Sequence, residues 1–253
     1  MTYRGYIDQN TKHVFFWSPK CACTKLFDTL KHTYGDQRGY YNKNSSPWRE
    51  CIEYAKNENF RTVALVRHPA TRIVSAYANK FVVYRDKRLH HRSDLERFSK
   101  NLFDDYCFLY GKHHEHIDMS FRMFLETIKT IKASGEDTGR RRINVHWQQQ
   151  VPTPLIASGF QYDRVVKFEH FSSQFRALCT DLGLSFDSQH LNATQWKQHS
   201  QSERDLSDIP AAALDENEIS VSSFLNKETL DLIYNIYRDD FLYLGYDIES
   251  YAG

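Results

Sequence analysis

The sequence predicts an α/β fold: a parallel sheet flanked by helices on both faces. Three observations lead there. Two almost wholly apolar runs, Val14 to Trp17 and Val63 to Val66, each break into a polar turn and then a helical pattern. Strand-like and helix-like periods alternate along the chain, the order expected of βαβ units. No internal repeat is visible. With 41% hydrophobic and 15% aromatic residues, the 253 residues have enough apolar material for a core, and 1–253 is expected to be a single domain.

The elements follow in order. Val14 to Trp17 reads as a buried first strand, and Lys25 to Tyr34 as the helix after its turn. Gly35 to Pro47, rich in Gly, Tyr, Asn and Ser, reads as a loop. Val63 to Val66 is a second buried strand. Pro69 suits a first helical turn, and Ile73, Val74, Tyr77 and Phe81 recur at helical spacing behind it. Phe98, Leu102, Tyr106 and Leu109 predict another helix. Phe121, Phe124, Leu125, Ile128 and Ile131 predict a third that ends near Gly135. Arg164 to Phe168 is strand-like, and Phe171 to Leu182 is a helix stopped by Gly183. Ser200 to Asn217 is acidic and Ser-rich without a period, and is expected to be a mobile loop. Leu230, Ile233, Tyr234, Tyr237 and Phe241 mark a last amphipathic helix.

Composition excludes several functions. A formal net charge of +1 argues against a protein that coats nucleic acid. No apolar run approaches the roughly 20 residues that span a bilayer. Met1 to Asn10 is polar and unlike a signal segment. The five cysteines make no metal or disulfide framework, and their odd number points to a reducing compartment, so a cytoplasmic location is expected. The sequons at Asn44 and Asn192 read as chance matches. His113, His114 and His116 with Glu115 match no standard zinc spacing, and no metal is expected.

The chemistry concentrates at the two strand-to-helix turns. Such a junction offers unpaired backbone N–H groups and the positive end of a helix, which suits phosphate. Two on neighbouring parallel strands would suit a ligand with two separate phosphates. Lys20 stands in the first turn. Arg67 ends the second strand, where a planar guanidinium can hold a phosphate by two hydrogen bonds. A P-loop ATPase or kinase is argued against by the lack of any glycine between Gly5 and Gly35, and because Lys20 precedes the turn. No cysteine here has an arginine at the spacing of a cysteine phosphatase.

Pro19-Lys20-Cys21-Ala22-Cys23-Thr24 resembles the 5′-phosphosulfate loop of sulfotransferases that use 3′-phosphoadenosine 5′-phosphosulfate (PAPS), usually Pro-Lys-Ser-Gly-Thr-Thr. Arg67-His68-Pro69 followed by Ser75 resembles their 3′-phosphate site, with His68 where many have Asp. Three later pieces are similar as well: His146-Trp147-Gln148-Gln149-Gln150, then Tyr162-Asp163 through Lys167-Phe168-Glu169, then Tyr237, Asp240-Phe241 and Gly245-Tyr246. The whole set resembles the carbohydrate branch, the Golgi-type chondroitin and dermatan enzymes, and suggests a soluble bacterial member or a soluble form of a Golgi enzyme lacking its anchor.

The resemblance implies the sulfotransferase fold, PAPS as donor, 3′-phosphoadenosine 5′-phosphate (PAP) as product, and in-line displacement. It implies that Lys20 stabilises the leaving oxygen. Thr24, with the backbone N–H groups from Cys21, Ala22 and Cys23 to Lys25, would hold the 5′-phosphate, and Arg67 and Ser75 the 3′-phosphate. A base must take the acceptor's proton. His146 is the first candidate and Glu169 the second, with His32 and His68 behind them. Arg140, Arg141 and Arg142 are either a site for an anionic acceptor such as a uronic-acid glycan or a solvated basic turn. The expected acceptor is a carbohydrate hydroxyl; a small-molecule alcohol or amine, or a peptide tyrosine, is the alternative. A nucleotide- or glycan-binding scaffold is the non-enzymatic one.

Overall fold

The computed structural model describes residues 3–35, 44–112, 115–134, 143–186, 204–215, 217, 219–248 and 250. In chain order the strands are β1 (Arg4–Asp8), β2 (His13–Trp17), β3 (Ser46–Pro47), β4 (Arg61–Val66), β5 (Val83–Tyr84), β6 (Lys87–Arg88) and β7 (Arg164–Lys167). The α-helices are α1 (Cys23–Tyr34), α2 (Trp48–Asn57), α3 (Pro69–Tyr77), α4 (Arg97–Leu109), α5 (Phe121–Ala133), α6 (Thr153–Ala157), α7 (Phe171–Leu182) and α8 (Lys227–Leu244). A π-helical turn, Ala78–Val82, continues α3. The chain forms two compact units, one from Met1–His68 with Gln150–Ala193, the other from Pro69–Gln149 with Thr194–Gly253.

The first unit holds a five-stranded sheet of order β3-β1-β2-β4-β7. β2, β4 and β7 are parallel, as the apolar runs predict, and β1 and β3 complete one side antiparallel. β2 and β4 are buried along almost their whole length, because both faces of the sheet are covered. Phe15, Val63, Leu65 and Val166 meet Leu26, Phe27 and Leu30 of α1 and Phe171, Phe175 and Leu178 of α7. α7 stops where expected. Gly183 is left-handed, with φ 65°, and the Leu184 N–H returns to the Cys179 carbonyl at 2.8 Å.

β1 and α2 are elements the sequence does not announce. β1 carries Gly5 as its second residue, and α2 buries only Cys51, Ile52 and Ala55, a stripe of mostly small residues. Their meeting explains the glycine. A Cβ on Gly5 would lie 2.8 Å from Cys51 Sγ and 3.1 Å from the Phe16 ring.

The second unit is helical, around an aromatic core. Tyr77 is surrounded by Phe81, Phe121, Phe124 and Phe224 at centroid distances of 5.3–6.0 Å, and its hydroxyl donates to the Met119 carbonyl. Ser120 caps α5 by accepting from the Met123 N–H, and Asn226 caps α8 by accepting from the Thr229 N–H. The segment expected as a mobile loop is packed over its described residues 204–215. Leu206, Ala211 and Leu214 are buried in this core, and the Ala211 and Ala212 N–H groups donate to the Met119 and Ile117 carbonyls. Its few apolar residues are spaced for a chain that lies flat on a core, which no regular period reveals.

Two stability predictions follow from the sheet. Gly5→Ala is expected to destabilise the protein by about 1–3 kcal/mol through overpacking, with part of the loss restored by Cys51→Ala, as read from denaturant midpoints of the single and double variants. Asp163 joins β4 to the start of β7, accepting from the Thr62 N–H and hydroxyl, both at 2.7 Å. Desolvation pushes its carboxyl up, but these bonds outweigh that and leave it below the ordinary carboxylate value. A depressed carboxylate stabilises fully above its unfolded pKa of about 3.9 and loses that contribution as pH falls through the folded value. Asp163→Asn is therefore expected to flatten the acid limb of stability below about pH 4, as measured by urea midpoints against pH.

Candidate functional site

The first turn begins where β2 ends. The Cys21 N–H donates to the Ser18 carbonyl at 3.2 Å, and the Ala22 carbonyl accepts from the Lys25 and Leu26 N–H groups at 3.0 and 3.2 Å, opening α1. Lys20 (φ 72°) and Ala22 (φ 59°) are left-handed without being glycine. No side chain caps α1 and its first turn carries no acid. Helix geometry leaves the first-turn N–H groups without a helix carbonyl to reach, so Ala22, Cys23 and Thr24 supply the donors an anion needs. Of the expected N–H donors from Cys21 to Lys25, the two end ones serve the turn itself. Lys25 is buried, its Nζ 5.7 Å from the Phe186 ring centroid, and so is no ordinary solvated lysine. Desolvation raises the Cys23 thiol above its ordinary value despite nearby backbone donors and Lys20, so it stays protonated near neutrality.

The second turn follows β4. The Arg67 guanidinium lies 4.3 Å from the Phe168 ring centroid, and its Nη1 donates to the Lys20 carbonyl at 3.4 Å. The two turns that the sequence singles out thus stand side by side. Two side chains hold the backbone here. Gln150 Oε1 accepts from the Arg67 N–H at 2.9 Å while its Nε2 donates to the Arg67 carbonyl at 2.8 Å. Glu169 Oε1 accepts from the N–H of the fully buried His68 at 2.8 Å. Glu169, the second candidate base, therefore shapes the Arg67-His68 turn. At the same edge of the sheet, the strand ends Trp17 and Val66 border a depression whose other walls include Tyr3, Arg4, Trp48 and Tyr162.

In the second unit, Ser75 is buried in α3. Arg72, three residues earlier and fully buried, donates through Nη1 to the His146 carbonyl at 3.2 Å and through Nη2 to the Gln148 carbonyl at 2.5 Å. The Tyr237 hydroxyl donates to the Trp147 carbonyl at 2.6 Å. Three successive carbonyls of the His146–Gln148 segment are thereby fixed. Asn144 then sets the imidazole. Its Oδ1 lies 3.0 Å from the His146 N–H, so that atom is an oxygen, and 2.7 Å from His146 Nδ1, which must carry a proton to donate to it. That tautomer puts the ring's lone pair on Nε2. The ring stacks on Phe98 at 4.7 Å and 4°, and Phe98 in turn lies 5.3 Å from the Nζ of Lys80, which pairs with Glu96 at 2.6 Å.

The structure brings Lys20, Cys21, Arg67 and Glu169 together in one unit and places His146 and Ser75 in the other. Arg140, Arg141 and Arg142 lie outside the described residues, as do His113, His114 and Asn192. Among the described residues no group of three or more His, Cys, Asp or Glu is arranged to hold a metal, and no helix is long and apolar enough to cross a membrane. Sequence reading passed over Arg72, Asn144 and the role of Gln150. The last two sit in or beside the His-Trp string, but what an amide does depends on the partner it meets.

No curated protein and no solved structure gives a significant match to the chain. The model of the sulfotransferase family matches residues 6–247, across both units and both turns. The chain belongs to the sulfotransferase family and is an enzyme of sulfuryl transfer.

Proposed function

We propose that this enzyme transfers a sulfuryl group from PAPS to a hydroxyl of a carbohydrate, and that 1–253 acts as one sulfotransferase domain. The carrying observation is the contact of Arg67 Nη1 with the Lys20 carbonyl at 3.4 Å, which sets the two strand-end turns beside each other. The donor set fits a bisphosphorylated nucleotide: an uncapped, acid-free helix start at one turn and a guanidinium at the other. Sulfotransferases of this family generally use PAPS, which supplies the sulfuryl group when bound.

The chain's own residues have separable tasks. The N–H groups of Ala22, Cys23 and Thr24, with the Thr24 hydroxyl, hold the 5′-phosphate. Lys20 neutralises charge that grows on the leaving oxygen, the largest contribution a positioned cation makes to such a transfer. Arg67 and Ser75 hold the 3′-phosphate; for Ser75 the support is its spacing from Arg67 in the sequence. His146 takes the acceptor's proton at Nε2, since Asn144 holds the Nδ1 proton in place. A sugar acceptor is supported by the likeness of the motif set to the carbohydrate branch and by the aromatic walls of the depression at the sheet edge, with a small-molecule alcohol or amine as the alternative. A cytoplasmic location is supported by the five cysteines, which form no disulfide among the described residues.

Incubation with PAPS and panels of glycans, alcohols and amines, read as an 80-dalton-class mass gain, is the direct test; gain on alcohols or amines alone overturns the sugar acceptor. PAP is expected to raise the melting temperature. Lys20→Ala is expected to lower kcat by about a hundredfold or more while retaining most of the PAP stabilisation, and equal losses in both would remove its catalytic assignment. Asn144→Asp, which places a carboxylate on Nδ1, favours the imidazolium. The base then loses its proton only at higher pH, so the acidic limb of the kcat profile is expected to move up by about one pH unit. An unshifted limb takes the base role away from His146.

A further inference from the structure

We propose that Gln150 is a positioning residue that sets the separation of the two phosphate sites, an inference that rests on PAPS being the donor. β4 pairs with β7 only as far as Val66 and Lys167, so the backbone of Arg67 stands just past the ladder. Gln150 takes the place of the missing strand. Its amide pairs with the N–H and the carbonyl of Arg67 at 2.9 and 2.8 Å, as a neighbouring strand would. The same Oε1 accepts from the Cys21 thiol at 3.2 Å. Arg67 fixes which end of the amide is oxygen, because its N–H requires an acceptor and its carbonyl a donor. One buried side chain thereby ties the turn after β2 to the turn after β4.

A second tie between the turns is the Arg67 guanidinium on the Lys20 carbonyl. That guanidinium is the proposed phosphate ligand, so its bonding is shared with the nucleotide. The Gln150 bonds to Arg67 and Cys21 engage backbone and a thiol, groups that hold no phosphate in this reading, so this hold does not compete with what the turns bind. The consequence lies in how two linked sites add. A nucleotide with phosphates at both ends gains over one with a single phosphate only if both sites stand at the right spacing before it arrives. A loosened spacing leaves each site able to bind its own phosphate and removes the gain from joining them.

The test compares PAP with adenosine 5′-monophosphate and adenosine 3′-monophosphate by calorimetry, on the wild-type chain and on Gln150→Met, which keeps length and loses both bonding ends. The wild type is expected to prefer PAP strongly. In Gln150→Met the preference for PAP is expected to fall about tenfold or more, the worth of one to two hydrogen bonds, with each monophosphate within about twofold of wild type. kcat/KM for PAPS should fall with the preference. Should Gln150→Met not fold, Gln150→Asn, with the amide one methylene short, carries the same comparison. An unchanged preference in a folded variant, or equal weakening of all three nucleotides, overturns the positioning role. A wild type with no preference for PAP overturns the nucleotide reading itself.

Discussion

The register between β2 and β4 is the constraint on which the site depends. Five parallel pairs, from His13 with Arg61 to Trp17 with Leu65, bring the two strands to their ends almost level. Because both strands run the same way, both following turns emerge at the same edge of the sheet, where ligands of open α/β sheets bind. A slip of one residue would put Phe15 and Val63 on opposite faces and displace the turns together. The burial of these strands on both faces forbids it. The hydrophobic effect thus acts on the chemistry at one remove: it fixes a register, and the register fixes a distance.

Around this edge the chain uses polar side chains to hold backbone. Gln150 and Glu169 hold the turn after β4, Asp163 holds the start of β7 to β4, and Arg72 and Tyr237 hold the His146 segment. Each places one or two bonds on groups that lie beyond a regular ladder or helix, where unpaired backbone would be costly. Residues of this kind are neither core nor ligand. Several fall inside the motifs that resemble those of the sulfotransferase family, and what these residues do in this chain is shape a turn or hold a segment.

How much was legible follows from the range of the interaction responsible. The strand-turn-helix junctions could be read because an apolar run, its break and the next helical period are all local. α7 with its Gly183 stop was readable for the same reason. Gly5 and α2 were not, since a short strand with a glycine near its start and a helix burying Cys51 and Ala55 leave weak patterns that their mutual contact explains. Arg67 could be named as a candidate from its place at a strand end, and Lys20 from the motif resemblance around it. Gln150 could not be given a role, because its partners, Arg67 and Cys21, are 83 and 129 residues away. The packed segment 204–215 misled because polarity outweighed the few apolar residues that anchor it.

Ala22 has one further consequence. Its left-handed backbone, φ 59°, is a conformation glycine enters freely and alanine resists. With a methyl group there, the unbound chain has fewer shapes to wander among, and the loop's curvature must be imposed by its neighbours. The turn is in this sense prestressed, like a spring clip held open by its mounting. What it gives up in intrinsic ease of bending it regains as stiffness.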